Sequence, residues 1–186
     1  MRIAGGDWRG RVLDAPAGRN TRPTGGRTRE AVFNILEHAS WALEVEDLNV
    51  VDLFAGSGAL GLEALSRGAA FCLFVETAGP ALTALRANIE ALGAGPRAAV
   101  RGRDAARLGP RPAGRAPFGL AFLDPPYARG LGETALETLK SGGWLAPGAL
   151  VVFERGSSEP APEAPGFDVL DERRYGAART WFLKLA

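Results

Sequence analysis

Four acidic residues stand at matching places along this chain. Asp52 closes the apolar run "LNVVDLF", Glu76 closes "AFCLFVE", Asp104 follows "AAVRGRD", and Asp124 closes "FGLAFLD". One such acid is an ordinary turn former or helix cap. Four in corresponding positions point to a shared rim that binds a ligand. Directly after the first of them, Gly56-Ser57-Gly58-Ala59-Leu60-Gly61 matches the G-x-G-x-x-G fingerprint of a nucleotide-binding turn. In a dinucleotide site that turn would hold a pyrophosphate, and Asp52 would then aim negative charge at phosphate. A cofactor with a cationic end and no phosphate suits Asp52 better. S-adenosylmethionine has that make-up: an ammonium, a carboxylate, a sulfonium, a ribose and an adenine.

The cofactor reading assigns each acid a task. Asp52, Phe54, Ala55, Gly56 and Gly58 form the first loop, where glycines let backbone come close to the methionine end. Glu76 follows Asp52 by 24 residues, near the spacing at which an acid takes ribose hydroxyls. The Asp104 carboxylate accepts from the adenine amino group, and the Ala105 N–H donates to a ring nitrogen.

The fourth acid opens Asp124-Pro125-Pro126-Tyr127. Proline has a fixed φ and no N–H, and it holds the preceding residue extended. The expected result is a rigid corner rich in acceptors, the Asp124 carboxylate and the Pro125 carbonyl, and poor in donors. Such a corner suits a planar amino group, with Tyr127 stacked on the ring that carries it; stacking of this kind contributes roughly 1–3 kcal/mol. An exocyclic amine is a weak nucleophile because its lone pair is delocalised. Acceptors on its hydrogens favour the geometry that frees the lone pair, and transfer then needs alignment and electrostatics more than a strong base. A paired nucleobase cannot reach such a pocket unless it is flipped out or already unpaired.

The elements that must hold these residues follow from the pattern. "RIAGGDWRGRVLDAP" reads as a small hairpin. "RPTGGRTREAVFNILEHA" reads as a helix with Thr24 as N-cap and Ala31, Val32, Ile35, Leu36 and Ala39 at helical spacing. Short apolar strands then alternate with helices: "LGLEALSRG" ending at Gly68, "PALTALRANIEALG" with Pro80 near its start and Gly93 at its end, and "LGETALETLKSGG". The fifth strand is "ALVVFER", and "FDVLDERRY" and "RTWFLKLA" close the chain as two strands without a helix between them. The predicted class is α/β: a Rossmann-like seven-stranded sheet, mostly parallel, with helices on both faces and an antiparallel C-terminal edge hairpin. In an open sheet of this type, ligands bind beyond the carboxyl ends of the strands at the topological switch point.

Composition bounds the rest. The chain has 186 residues, 46% of them hydrophobic, which fits one domain over 1–186: a basic hairpin arm over 1–21 and a catalytic core over 22–186. The start has no apolar stretch of a secretory signal, and no run is long enough to span a membrane. A single cysteine, Cys72, and a single histidine, His38, cannot build a zinc site, so no metal is expected. A reducing cytoplasm and a monomer are the expected setting. Net charge is only +1, yet residues 1–30 carry seven arginines against three acids, a local +4. Such an arm suits phosphate contact.

Taken together, "VVDLFAGSGALGLEAL", "FVE", "DPPY", "RIAGGDWRGRVL" and "RPTGGRTREAVFNIL" resemble the small-subunit ribosomal RNA guanine-N2 methyltransferases of the RsmD type. The resemblance covers nearly the whole chain, and the two front motifs are its most specific part. It implies a class I methyltransferase fold, S-adenosylmethionine as donor, and N2 of one guanine in small-subunit (16S) rRNA as acceptor, on bare rRNA or in an assembly intermediate. Carried over by motif, Asp52, Gly56 and Gly58 form the first cofactor loop, Glu76 is the ribose acid, Asp104 contacts adenine, and Asp124 to Tyr127 form the catalytic corner. Thr24 and Arg27 are expected to close over the methionine end, and Arg9, Arg11 and Arg22 to meet RNA phosphates. One departure stands out: Gly25-Gly26 precede Arg27 where the family usually has a polar or acidic residue. Three rivals differ in class: a nicotinamide-dependent oxidoreductase, a non-enzymatic RNA-binding factor, and a methyltransferase for adenine, cytosine or a glutamine side chain.

Overall fold

The computed structural model describes residues 1–16, 26–126 and 130–186. Arg22, Thr24 and Tyr127 lie outside the described residues. The elements run α1 (Gly26–His38), β1 (Asn49–Leu53), α2 (Ala59–Ser66), β2 (Phe71–Val75), α3 (Gly79–Ala91), β3 (Ala98–Arg101), β4 (Phe118–Leu123), α4 (Leu131–Ser141), β5 (Leu145–Gly156), β6 (Phe167–Tyr175) and β7 (Ala178–Leu185). The strands form one seven-stranded sheet in the order β3-β2-β1-β4-β5-β7-β6. The first five in that order are parallel, and β7 runs antiparallel to both β5 and β6. This is the Rossmann-like, mostly parallel sheet with a closing antiparallel hairpin that the sequence predicts.

Alternation along each strand divides the apolar residues between two cores. Val50, Cys72, Phe74, Leu120 and Phe122 face α1, α2 and α3, where Phe33, Leu36, Leu62, Leu65 and Leu85 are buried. Val51, Leu53, Leu73, Ala121 and Leu123 face α4, against Ala135, Leu136 and Leu139. Strands covered on both faces read as continuous apolar runs, which is why they are plain in the sequence.

Two boundaries differ from the sequence reading. β5 begins at Leu145, not at Ala149, because Leu145 already pairs with Phe118. A register shift between Phe118 and Leu120 absorbs Pro147 and Gly148, the latter at φ +70°. The front hairpin is minimal: one antiparallel bridge, Arg2 with Val12, flanked by Ile3 N–H to Arg11 O (3.0 Å) and Leu13 N–H to Met1 O (2.8 Å). Its buried Ile3 and Leu13 join the core under α1 to α3.

Candidate active site

The chain runs from β1 outward to β2 and β3, then returns to β4 on the other side of β1. That reversal is the switch point, and it brings two of the acids side by side. Leu53 pairs with Leu123, Asp52 lies opposite Phe122 within the ladder, and Asp124 follows the last residue of β4. Asp52 is only 2% exposed. Its Oδ2 accepts from the Gly61 N–H at 2.9 Å. Burial pushes the Asp52 carboxyl well above the ordinary carboxylate range; the Gly61 hydrogen bond opposes this, and the nearby charges of Asp124 and Glu76 add to it. Burial also raises the Cys72 thiol on β2, with Asp52 as the second cause. Three carboxylates therefore share one field at the rim.

The loop after β1 is folded against its own preferences. Phe54 sits at φ +59°, Gly56 at +56° and Gly58 at +81°. A bulky residue held in the left-handed region costs about 1–3 kcal/mol and persists only where its surroundings fix it. Here the fixing bonds are Ala55 N–H to Val75 O (3.1 Å), Gly58 N–H to Ala55 O (2.7 Å) and Gly56 N–H to Glu76 Oε2 (2.8 Å). Glu76 Oε1 also accepts from the N–H groups of Thr77 (2.7 Å) and Ala78 (2.8 Å). Glu76 thus ties the first loop to the start of α3.

The glycines of the fingerprint divide into two kinds. A Cβ on Gly56 would meet nothing within 4 Å, so its backbone borders open space. A Cβ on Gly58 would overlap Leu85, and one on Gly61 would overlap Phe74 and stand 2.6 Å from Cys72 Sγ. The absence of a side chain at Gly58 and Gly61 lets α2 press onto β2 and α3.

The remaining predicted residues fall as follows. Asp104 caps a short 3-10 turn over Ala105–Arg107, with Oδ1 accepting from Ala106 N–H at 2.9 Å, and its side chain is 48% exposed. Ala105 is buried beneath it. Asp124 is half-buried, Pro125 buried and Pro126 exposed. Pro125 is seated against the start of α4, where a Cβ on Gly132 would overlap the Phe153 ring and reach Pro125 Cγ at 3.0 Å. Arg27 is exposed in the first turn of α1.

The structure does not bring Arg9 and Arg11 to the rim. The hairpin lies along α2, with Asp7 N–H on Ser66 O (2.8 Å) and Trp8 N–H on Ser66 Oγ (2.9 Å). Ser66 ends α2, which has by then returned to the amino ends of the strands. Arg11 donates to Ala91 O at the end of α3 (2.7 Å), and Arg9 is exposed. The hairpin tip and Asp124 therefore occupy opposite ends of the sheet.

Two supporting residues escape the sequence reading. Glu63 accepts from Arg29 Nε (3.1 Å), Arg67 Nε (3.0 Å) and the N–H groups of Ala4 and Gly5 (both 2.8 Å). Asn88 on α3 takes Asp14 N–H on Oδ1 (2.7 Å) and gives Nδ2 to Asp14 O and Ser57 O (both 3.0 Å). The signal for Glu63 was available: an acid inside the otherwise apolar "ALGLEALS", with Arg67 four residues on.

The family described as Conserved hypothetical protein 95 matches residues 1–184. Ribosomal RNA small subunit methyltransferase D of Escherichia coli (strain K12) is 39% identical over 165 residues, 89% of this chain and 79% of that protein. The Haemophilus influenzae protein of the same name is 33% identical over 178 residues, 95% of this chain and 89% of that protein. The chain belongs to this family, the RsmD family. It is a methyltransferase. A solved structure of an Escherichia coli methyltransferase, YhhF, superposes with a TM-score of 0.83 at 35% identity, covering 100% of this chain and 97% of that one.

Proposed function

We propose that the chain transfers a methyl group from S-adenosylmethionine to the exocyclic N2 of a guanine in small-subunit rRNA. One observation carries the reading: Asp52, Glu76 and Asp124 converge at the β1/β4 switch point and raise the Asp52 pKa by burial and mutual repulsion. A cationic ligand relieves that repulsion, whereas a pyrophosphate would add to it. This disfavours the nicotinamide reading, which rests on the glycine pattern alone. The relatives named ribosomal RNA small subunit methyltransferase D support rRNA as the acceptor.

In this reading Gly56 leaves room for the methionine end, Glu76 takes the ribose, and Asp104 with Ala105 takes the adenine. When bound, the cofactor supplies a methyl group already activated by its sulfonium. The chain's own task is then to place the amine. Asp124 and the Pro125 carbonyl accept its two hydrogens, and the buried Pro125 keeps the pair of acceptors from drifting. Asp124 would orient the amine before attack, stabilise the positive charge that grows on the nitrogen as the methyl leaves sulfur and the N–C bond forms, and lie within reach of the one proton the nitrogen then releases to solvent.

The test joins calorimetry with a methyl-transfer assay on small-subunit rRNA and on small-subunit particles. Wild-type protein is expected to bind S-adenosylmethionine and not NAD, and to place label on guanine N2. Asp124→Ala should keep cofactor binding and lose at least about a hundredfold in transfer. Undiminished transfer by that variant, or label on adenine or cytosine instead, refutes the assignment.

A further inference from the structure

Residues 101–115 hold five arginines and one aspartate, a second local +4 equal to that of the front segment. Their partners differ in kind from those of the arginines that carry ion pairs. Arg155 pairs with Glu133 (2.6 Å), Arg173 with Asp171 (2.8 Å) and Arg67 with Glu37 (2.8 Å). Among the described residues, Arg101, Arg103, Arg111 and Arg115 have no carboxylate within 4.0 Å; only Arg107 has one, Asp104, at 3.8 Å. Residues 17–25 and 127–129 contain no acid that could supply one.

What holds the guanidinium groups of Arg101, Arg111 and Arg115 is carbonyl oxygen and aromatic ring, neither of which cancels charge. Arg115 lies over the Phe71 ring at 5.3 Å, and Arg101 over Trp144 at 5.5 Å. Arg111 gives Nε to Gly143 O (2.6 Å) and Nη1 to Arg115 O. Arg101 and Arg115 face one open cleft of about 560 Å³ with Asn49, Phe71 and Phe118. Those last three are the first residues of β1, β2 and β4, so the cleft opens at the amino ends of the strands, and Arg101, the last residue of β3, reaches it with its side chain along Trp144. The hairpin tip reaches the same end. Arg97 lies over Trp8 at 5.1 Å and donates to Ala69 O (3.2 Å), two residues before Phe71. The acid nearest in sequence to the cleft's lining, Asp47, makes no ion pair with any of them among the described residues.

We infer that this cleft and the connection that borders it form a second contact surface for the phosphodiester backbone of the substrate RNA, continuous with the front hairpin around the amino end of the sheet. The inference rests on the proposed function and extends it: the nucleotide held at Asp124 and the phosphates held here belong to one long polyanion. Clustered cations left un-neutralised repel one another, and a polyanion relieves that repulsion while releasing its counterions.

The experiment measures binding of protein-free small-subunit rRNA across a salt series. Arg111→Glu with Arg115→Glu is expected to weaken binding about tenfold or more and to lower the salt slope by about one per phosphate lost. S-adenosylmethionine affinity should stay at the wild-type value. Arg111→Gln with Arg115→Gln, which adds no repulsion, should shift both quantities in the same direction by less and serves if the reversal unfolds the protein. Unchanged affinity and slope in the glutamine pair overturn the inference. Arg9→Glu with Arg11→Glu tells the two levels apart. If that pair weakens binding while the 111/115 pairs do not, the second surface is wrong and the proposed function stands. If wild-type protein binds no rRNA, both fall.

Discussion

Arg29 and Glu63 form an ion pair, Nε to Oε2 at 3.1 Å, with both side chains fully buried. The Glu63 carboxylate also receives Arg67 and two backbone N–H groups of the hairpin, and Arg29 donates a second time to the Arg2 carbonyl. One acid thus joins the hairpin, α1 and α2. Removing a single member of a buried pair strands the other charge and costs about 3–5 kcal/mol. Glu63→Gln should lower the unfolding free energy by that amount and speed amide exchange over residues 1–13. A loss below about 1 kcal/mol would mean that water compensates Arg29.

The raised Asp52 pKa has a definite sign in stability. The folded protein keeps this proton in a pH window, above the ordinary 3.8, where the unfolded chain has released it. Its stabilising contribution is fully present below 3.8 and is lost as pH rises through the raised value. Urea midpoints of the ligand-free protein should fall with pH in that window, and Asp52→Asn, which still accepts from Gly61, should flatten the slope. Cofactor binding by the proposed reading should release the proton, so affinity climbs with pH over the same range. Calorimetry in two buffers of different ionisation heat checks this; equal heats would exclude proton release.

Asn88 satisfies both backbone groups of Asp14 and the carbonyl of Ser57, and its exposure is 2%. Deleting the amide leaves three polar groups short of a partner, each worth roughly 1–3 kcal/mol if it stays dry. Asn88→Ala should therefore destabilise the chain and raise KM for S-adenosylmethionine through Ser57, with kcat changed less. Asp14→Ala keeps every bond that Asn88 makes and should match wild type. Equal KM values for the Asn88 variant and wild type would confine Asn88 to holding the hairpin.

The legible parts of this protein are those that one local rule controls. Strands buried on both faces announce themselves as apolar runs; Asp52 sits in one such run and Glu76 and Asp124 directly follow two others, whereas the run before Asp104, the half-buried edge strand β3, is weaker. Gly93 at φ +65° and Gly68 at φ +98° end their helices as the sequence suggests. What stays hidden depends on partners far along the chain. The second reason for a glycine at 58, the space that Leu85 fills beside it, lies 27 residues further along. Nothing near Arg29 in the sequence marks it as buried, because its partner Glu63 lies 34 residues away. The charge of the front segment says nothing of where it lies on the sheet; the packing of Gly5 to Trp8 on Ser66 sends the hairpin tip to the end opposite Asp124.

Gly132 offers a way to disturb the catalytic corner without touching its residues. It sits in the first turn of α4, and a methyl group there would overlap the Phe153 ring and press on Pro125 Cγ. The ring belongs to the buried middle of β5, which has no freedom to retreat, so the displacement falls on Pro125 and α4. Overpacking of this kind typically costs about 1–3 kcal/mol. Gly132→Ala should lose that much stability and more than tenfold in methyl transfer, because small misplacements of aligned groups are expensive in rate. Affinity for S-adenosylmethionine should change little, since Gly56 and Glu76 lie on the other side of β1. Activity that survives intact in a destabilised variant would mean that the acceptors at Asp124 and Pro125 tolerate movement, and that rigidity of the proline corner is not what aligns the amine.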